Sequence, residues 1–337
     1  MTDTVLLTGI SGFVGGHIAL QLLNAGYAVR GSVRSLAKAD KVRATLAGAG
    51  ADISRLEFVA LDLLKDDGWA DAMADVRYLQ HTASPFVLET PKDPQELIGP
   101  AVEGTRRAVE AALAAKVERV VLTSSLAAIQ YGHAPTDRAY TEADWSDVSS
   151  PQIGAYATSK TLAEREAWRL MDAAGRHDDL AVINPGLILG PLLDEDPGTS
   201  SMLVRRLLDG KLPAVPKLSM SVVDVREVAA LQVDAMTSPV AGGQRCVASV
   251  GTYSMSEMGA MLRPAFPKRR VPTAELPNWL VRVVALFDRD VRDNLHEMET
   301  VRRADGQRGS KRLGRPLIRA AEAAVATGKS LVDHRLV

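Results

Sequence analysis

The chain has 337 residues, enough for one large α/β unit or two ordinary domains around a sizeable core. With 40 basic and 41 acidic side chains, its formal net charge is −1, which argues against nucleic acid or an anionic membrane as the main partner and favours a small-molecule ligand. Cys246 is the single cysteine, so an internal disulfide and a four-thiolate zinc site are excluded. The chain shows no secretory leader pattern and no apolar run near about 18 residues, so we expect a cytoplasmic protein without a membrane partner.

Short apolar runs alternate with helical patterns through the first 185 residues. The predicted strands are 4–8, 27–33, 56–60, 76–80, 118–124 and 180–184. The predicted helices are 13–25, 36–48, 66–73, 94–115 and 156–174. Such alternation specifies a parallel sheet with right-handed crossovers and helices on both faces. The sequence therefore predicts a doubly wound (Rossmann) α/β fold.

A glycine-rich turn lies between an apolar strand and an amphipathic helix in VLLTGISGFVGGHIALQLL (5–23). Its spacing is Gly9-x-x-Gly12-x-x-Gly15. These glycines allow a tight turn and close backbone approach, so a pyrophosphate can lie on the helix N-terminus. The pattern predicts dinucleotide binding, with contacts from Thr8, Gly9, Ser11, Gly12, Phe13, Val14 and Gly15.

The residues after the second strand distinguish NAD from NADP binders. NAD binders place an acidic residue there for the ribose 2′-hydroxyl, whereas NADP binders place a cation near the 2′-phosphate. The stretch RGSVRSLAKADK (30–41) has no carboxylate before Asp40. Arg34 is therefore the predicted 2′-phosphate ligand, because a guanidinium matches a phosphate and stacks on adenine; an exposed strand-end arginine is the alternative. The predicted helpers are Ser32, Ser35, Lys38 or Lys41.

Two later strand ends complete the predicted cofactor site. Asp62, followed by Leu63, comes after the third strand, where its carboxylate can accept from the adenine amino group; a simple loop aspartate is the alternative. The stretch HTASP (81–85) ends the fourth strand in small residues, as close packing against a cofactor requires. Its predicted contacts are Thr82, Ala83 and Ser84.

Tyr156 and Lys160 lie one helical turn apart in GAYATSKTLAE (154–164). Side chains four residues apart share a helix face, so this phenol and ammonium can act on one object. A solvated pair on a surface helix is the alternative. Free tyrosine has a pKa near about 10, and nearby positive charge lowers it toward the range in which a phenol transfers protons at neutral pH.

Seven motifs in this order resemble one family: TGISGFVGGH, HTASPF, PAVEGT, RVVLTSS, YATSKTLAE, NPGLILGP and SVVDVREVA. The chain resembles the extended short-chain dehydrogenases/reductases of the dihydroflavonol-4-reductase and cinnamoyl-CoA-reductase-like group. Bacterial members of that group are commonly described as NADPH-dependent aldehyde or ketone reductases. The resemblance therefore implies an NADP(H)-dependent oxidoreductase that reduces hydrophobic aldehydes or ketones.

The resemblance also implies Ser125, Tyr156 and Lys160 as the catalytic residues. Adjacent strand residues face opposite sides, so only one of Ser124 and Ser125 faces the substrate, and the family pattern selects Ser125. In the implied mechanism Tyr156 donates a proton to the carbonyl oxygen, Ser125 steadies the developing oxyanion, and Lys160 holds the ribose hydroxyls and relays the proton. The remaining implied cofactor contacts are Thr123, Tyr156, Lys160, Pro185, Gly186 and Leu187.

Glycine and proline become frequent after residue 185, as in NPGLILGP and KLPAVPK. We expect residues 1–185 to form the NADP-binding core with the catalytic residues, and residues 186–337 to form mainly a smaller substrate-binding lobe, with some segments returning to the core. The apolar stretch WLVRVVALF (279–287), broken by Arg282, predicts a packed helix, with membrane docking as the alternative. An apolar pocket without a dedicated cation suits hydrophobic carbonyl compounds. Its candidate residues are Phe86, Gln130, Tyr131 and Ile153.

Three alternative functions remain open: an NAD(P)-dependent epimerase or dehydratase, a hydroxysteroid-type dehydrogenase on the same fold, and a non-catalytic NADP(H) sensor. Arg34 argues against an epimerase that retains NAD, and a sensor would not need the Tyr156/Lys160 pair. The 6 histidines lack paired ligand spacing, so no metal is expected. We expect a small carbonyl substrate as partner, and either a monomer or a homodimer formed through helices 94–115 and 156–174.

Overall fold

The computed structural model describes residues 2–84, 93–286, 295, 298 and 300–337. Its main sheet consists of the parallel strands β1 (Thr4–Thr8), β2 (Ala28–Val33), β3 (Leu56–Ala60), β4 (Tyr78–His81), β5 (Arg119–Thr123), β6 (Leu180–Pro185) and β9 (Gln244–Ala248). They are ordered β3-β2-β1-β4-β5-β6-β9. The order reverses between β1 and β4, so the crevice used for ligands in such sheets lies at their carboxyl ends. The predicted doubly wound Rossmann fold is confirmed.

Helices cover both faces of this sheet because its strands alternate apolar side chains between the two faces. The helices of the first half are α1 (Phe13–Asn24), α2 (Ala39–Gly48), α3 (Trp69–Met73), α4 (Gln95–Ala114) and α5 (Ala155–Ala173). Val5 and Leu7 of β1 pack on the face of α1, whereas Leu6 packs on the face of α4 and α5. The predicted helix 36–48 divides into a 3₁₀ turn (Leu36–Lys38) and α2.

The chain after residue 185 builds a smaller lobe and also returns to the main sheet. The lobe sheet contains β7 (Leu187–Leu189), β8 (Ser219–Asp224) and β10 (Thr252–Ser254). The later helices are α6 (Gly198–Leu208), α7 (Val225–Thr237), α8 (Met255–Leu262), α9 (Asn278–Val284), α10 (Gln307–Leu313) and α11 (Ala320–Asp333). Of these, α7 packs on α1 and α10 packs on β9, whereas α6, α8 and α11 belong to the lobe core. Since β7 follows β6 almost directly, the lobe begins at the carboxyl edge of the main sheet.

Helix α9 buries only one face. Val281 and Ala285 are buried, whereas Trp279 and Leu286 are each 67% exposed. The prediction of a packed helix therefore holds for the face with the buried residues and is wrong for the exposed face of this stretch. In the part of the chain that the structure describes, no helix reaches the length and apolar character required to span a bilayer.

Candidate active site

The turn between β1 and α1 has room only for backbone at Gly9 and Gly15. Gly9 has φ +75°, and its carbonyl oxygen accepts from the amide of Gly12 at 3.0 Å. A Cβ atom on Gly15 would lie 2.1 Å from that carbonyl oxygen. Helix α1 begins without a side-chain cap and without an acidic residue in its first turn. Its N-terminal amides and positive dipole end therefore fit a pyrophosphate.

A buried polar cluster ties the carboxyl ends of β1 and β4 together. The Thr8 hydroxyl lies 2.8 Å from Nδ1 of His81 and accepts from the amide of Ala83 at 3.2 Å, and the Thr82 hydroxyl donates to the Thr8 carbonyl. Burial, with a smaller effect of the Lys160 ammonium, lowers the pKa of His81 to about 3. His81 is therefore a neutral structural partner that holds the predicted cofactor segment Thr82–Ala83 beside the glycine turn.

Arg34 and Lys41, two of the cations predicted for the adenosine end, have different surroundings. Arg34 follows β2 directly and is exposed. Lys41 Nζ lies 3.6 Å from Asp194 Oδ2 and 3.5 Å from Glu195 Oε1, and these carboxylates raise its pKa. Among the described residues Arg34 has no ion-pair partner. Its guanidinium is therefore the better placed for a 2′-phosphate, whereas Lys41 already links α2 to the lobe.

Asp62 and Leu63 lie directly beyond β3, as predicted from the sequence. The Asp62 carboxylate accepts from the amide of Leu64 at 3.0 Å, which fixes its side chain within the loop. Leu63 packs against α4, where a Cβ atom on Gly104 would lie 3.0 Å from the Leu63 Cβ atom. A contact from Leu63 to a cofactor would therefore use its backbone.

Ser125 and Tyr156 line one cleft at the carboxyl edge of the sheet. Ser125 follows the end of β5, and its hydroxyl accepts from the amide of Ala127 at 3.1 Å. Tyr156 lies in the first turn of α5 and is 44% exposed. Lys160 Nζ lies 6.0 Å from the centre of the Tyr156 ring. The ammonium and the positive end of the α5 dipole therefore lie on the same side of the cleft as the phenol.

The residues that precede Ser125 point elsewhere. Thr123 accepts from the side-chain amide of Gln232 on α7 at 2.6 Å. Ser124 is buried, and its hydroxyl donates to the carboxylate of Glu164 at 2.5 Å. Among these three neighbours, only Ser125 therefore lies in the cleft, so the geometry agrees with strand alternation.

The cleft has a volume of about 230 Å³ and a mixed lining. Its walls comprise Ser125, Leu126, Ala127, Gln130, Tyr131, Tyr156, Pro185, Gly186, Leu187, Ser200, Ser219, Met220 and Ser221. The predicted apolar pocket therefore differs from the observed one, because the lobe contributes three serine hydroxyls. The lining contains Gln130 and Tyr131 but, among the described residues, not Ile153; Phe86 lies outside the described residues.

Gln130 is 8% exposed, and its side-chain oxygen has no hydrogen-bond partner among the described residues. A buried amide oxygen without a partner is costly, and a ligand that donates a hydrogen bond can satisfy it once the Gln130 side chain turns toward the cleft. Sequence reasoning missed the lobe serines and the Thr8–His81 pair. The run Ser219-Met220-Ser221, whose last residue opens SVVDVREVA, was the available sequence signal for two of these serines.

These features define a dinucleotide-binding Rossmann protein with a Ser/Tyr/Lys constellation at the carboxyl edge of its sheet. The family model "NAD dependent epimerase/dehydratase family" matches residues 5–251. The chain belongs to this family.

Similar proteins refine the assignment. An uncharacterized oxidoreductase of Schizosaccharomyces pombe is 35% identical over 290 residues, covering 80% of this chain and 84% of that protein. Cinnamoyl-CoA reductase CAD2 of Medicago truncatula is 33% identical over 280 residues, covering 80% of this chain and 83% of that protein. The structure of yeast methylglyoxal/isovaleraldehyde reductase Gre2 complexed with NADPH superposes with a TM-score of 0.82 at 24% identity, covering 98% of this chain and 99% of that one. The resemblance to the extended, cinnamoyl-CoA-reductase-like group is confirmed.

Proposed function

We propose that this protein is an NADPH-dependent reductase of aldehydes or ketones. The observation that carries the proposal is that Ser125 and Tyr156 face one cleft, with Lys160 behind the phenol and the glycine turn on the same edge of the sheet. The names of the relatives, which include cinnamoyl-CoA and methylglyoxal reductases, support the reaction class. The cofactor is NADP(H), with Arg34 as the proposed ligand of the 2′-phosphate.

The side chains of the cleft can protonate a carbonyl oxygen as its carbon is reduced. When bound, NADPH supplies the hydride for this reduction. Tyr156 donates its hydroxyl proton to the oxygen, while the Ser125 hydroxyl donates a hydrogen bond to it. Lys160 and the α5 N-terminus are the local positive charges beside the phenol.

The cleft favours small carbonyl compounds with both apolar and polar parts. Leu126, Leu187 and Met220 offer apolar walls, whereas Gln130 offers an acceptor that lacks a partner among the described residues. We propose that the carbonyl oxygen lies between Ser125 and Tyr156 and that a donor group of the substrate reaches Gln130. A substrate of this kind satisfies the buried amide oxygen and leaves the hydrocarbon part on apolar surface.

The test is a panel of aldehydes and ketones followed by the loss of NADPH absorbance, with NADH in parallel. We expect net oxidation of NADPH by at least one class of carbonyl compound. An epimerase or dehydratase that recycles its bound dinucleotide would give no net oxidation, and that result would reject the proposal.

The variant that tests the site is Tyr156→Phe. It removes the proton donor but keeps the ring, so turnover should be lost while NADPH affinity stays close to that of the wild type. Retention of most of the turnover by the Phe variant would rule out Tyr156 as proton donor. Retention of NADPH binding serves as the control for correct folding.

A further inference from the structure

One buried carboxylate joins α5 to three strands of the main sheet behind the catalytic cleft. Glu164 lies one helical turn after Lys160, and its side chain has no exposed surface. Its Oε1 atom accepts from Nε of Arg245 on β9 at 2.6 Å. Its Oε2 atom accepts from the Ser124 hydroxyl at 2.5 Å and from the side-chain amide of Asn184 on β6 at 2.8 Å. Both oxygens of the carboxylate are therefore used.

The partners of Glu164 are chain neighbours of the proposed site residues. Ser124 precedes Ser125, and Asn184 precedes Pro185 of the cleft wall. The Asn184 amide also donates to the main-chain carbonyl of Ser125 at 3.2 Å. Glu164 thereby fixes the strand ends that present the serine and the cleft wall.

The negative charge at Glu164 is matched to Arg245, which is itself buried. The Arg245 side chain is 7% exposed, and its guanidinium carbon lies 3.9 Å from the centre of the Trp145 ring. Its Nη1 atom donates to the carbonyls of Glu142 at 2.9 Å and Asp144 at 2.5 Å. A neutral side chain at position 164 would leave a buried cation without its counterion and would replace one acceptor by a donor. With the glutamine oxygen toward Arg245, the new NH₂ group can donate to the Ser124 hydroxyl but faces the Asn184 amide donor. With the oxygen toward Ser124 and Asn184, the NH₂ group faces Nε of Arg245 and Nε1 of Trp168. At least one buried donor therefore loses its hydrogen bond in either orientation.

We propose that Glu164 is a positioning residue for carbonyl reduction. Its ionised carboxylate holds Ser125 at the end of β5 relative to Tyr156 on α5, so that both hydroxyls reach one oxygen atom. The proposal rests on the proposed reductase function. A displacement of about 1 Å between reacting groups lowers turnover by roughly 100-fold. Loss of the Glu164 charge should therefore appear in kcat, because it leaves the glycine turn and Arg34 in place.

The test compares Glu164→Gln with the matched variant Glu227→Gln. Glu227 is an equally buried helical carboxylate, on α7, which accepts from Arg315 at 2.7 and 2.8 Å and from the amide of Ile318 at 2.9 Å. Neither Glu227 nor its partners belong to the cleft lining. Both substitutions remove a buried charge from an ion pair, but only Glu164→Gln disturbs the strand ends beside the cleft.

We expect Glu164→Gln to lower kcat by roughly 10- to 100-fold, with a smaller change in the Kd for NADPH and a larger primary isotope effect with NADPH deuterated at the transferred hydrogen. Glu227→Gln should lose stability but keep the kcat and the isotope effect of the wild type. A folded Glu164→Gln protein with wild-type kcat would overturn the proposal, and so would equal losses of kcat in both variants.

Two further measurements make the result decisive. If Glu164→Gln does not fold, the variant Ser124→Ala takes its place, because it removes one hydrogen bond to the carboxylate and leaves the ion pair intact. A lower kcat of Ser124→Ala at unchanged NADPH affinity supports the proposal. A wild-type kcat of Ser124→Ala rejects it. Wild-type turnover is measured first. Its absence would overturn the reductase function and this inference together, whereas an active wild type with an unaffected Glu164→Gln variant would overturn the inference alone.

Discussion

Gly15 and Gly16 are adjacent in the first turn of α1, yet a methyl group should have opposite effects at the two positions. A Cβ atom on Gly15 would lie 2.1 Å from the Gly9 carbonyl oxygen and 3.0 Å from the Ile10 Cα atom, both in backbone. A Cβ atom on Gly16 would lie 3.2 Å from the end of the Leu193 side chain and at an ordinary contact distance of 3.9 Å from the Ile10 carbonyl oxygen. Gly15→Ala must therefore open the turn, whereas Gly16→Ala needs a small side-chain movement.

The size of each effect follows from these distances. Ordinary contact begins near 3.4 Å, so the Gly9 carbonyl and α1 must separate by roughly 1 Å in Gly15→Ala. Overpacking of this kind costs about 1–3 kcal/mol. Replacing a helical glycine by alanine stabilises the folded state by about 0.5–1 kcal/mol in either variant. We expect Gly15→Ala to be destabilised by about 1–2 kcal/mol and Gly16→Ala to be neutral or stabilised by up to about 1 kcal/mol.

Binding of NADPH should separate the two variants more sharply than stability. Opening the turn moves the α1 amides away from the pyrophosphate, so the Kd for NADPH should rise by at least about tenfold in Gly15→Ala, which corresponds to about 1.4 kcal/mol. Gly16→Ala should bind like the wild type. Urea unfolding and fluorescence titration with NADPH measure the two quantities. A Gly15→Ala protein that binds NADPH with wild-type affinity would refute the assignment of this turn as the pyrophosphate site.

Two further predictions concern charge. Arg34→Ala should weaken NADPH binding by roughly 10- to 100-fold, because a hydrogen bond to a charged group contributes about 1.5–3 kcal/mol, and it should leave NADH binding unchanged. Lys41→Ala should weaken NADPH binding less than Arg34→Ala does. Equal losses of NADPH and NADH affinity in Arg34→Ala would contradict the role of Arg34. His81 titrates near 6.5 when unfolded and near 3 when folded. Its contribution to stability is therefore full above pH 6.5 and is lost as the pH falls toward 3, at up to about 1.4 kcal/mol per pH unit. His81→Asn should flatten that part of the curve of unfolding free energy against pH, and an unchanged slope would show that His81 is not the group responsible.

The elements that bear the proposed chemistry could be predicted because their signals are local. The glycine spacing, the period of the apolar residues in α1 and the Tyr156/Lys160 spacing each lie within a single element or turn. The bounds of the six predicted strands agree with β1–β6 to within 2 residues, with the largest difference at β4, where Val76 and Arg77 precede the strand; β7, β8, β9 and β10 were not predicted. Once the position of β5 is known, the alternation of side chains along a strand is enough to place Ser124 and Ser125 on opposite sides of the sheet.

The missed features all depend on contacts between distant parts of the chain. Lys41 was predicted as a phosphate helper, but its ion pairs reach Asp194 and Glu195 in the lobe. Glu164 and Arg245 are separated by 81 residues, so neither periodicity nor a short motif could pair them. Judged from its sequence neighbours alone, each of the two is an ordinary charged residue of a helix or a strand. Their partnership follows only from the placement of β9 beside β6.

The cleft wall shows the same dependence on pairing. Ser219 and Ser221 reach the cleft because β7 continues from β6 and pairs in parallel with β8, with Leu187 opposite Val222. Met220 lies between them on β8 and also lines the cleft, so consecutive residues of this strand form the wall. Ser125 and Tyr156 depend on β5 and α5 instead. The proposed reaction is therefore specified by the main sheet, whereas this part of the cleft wall is specified by the placement of the lobe strands.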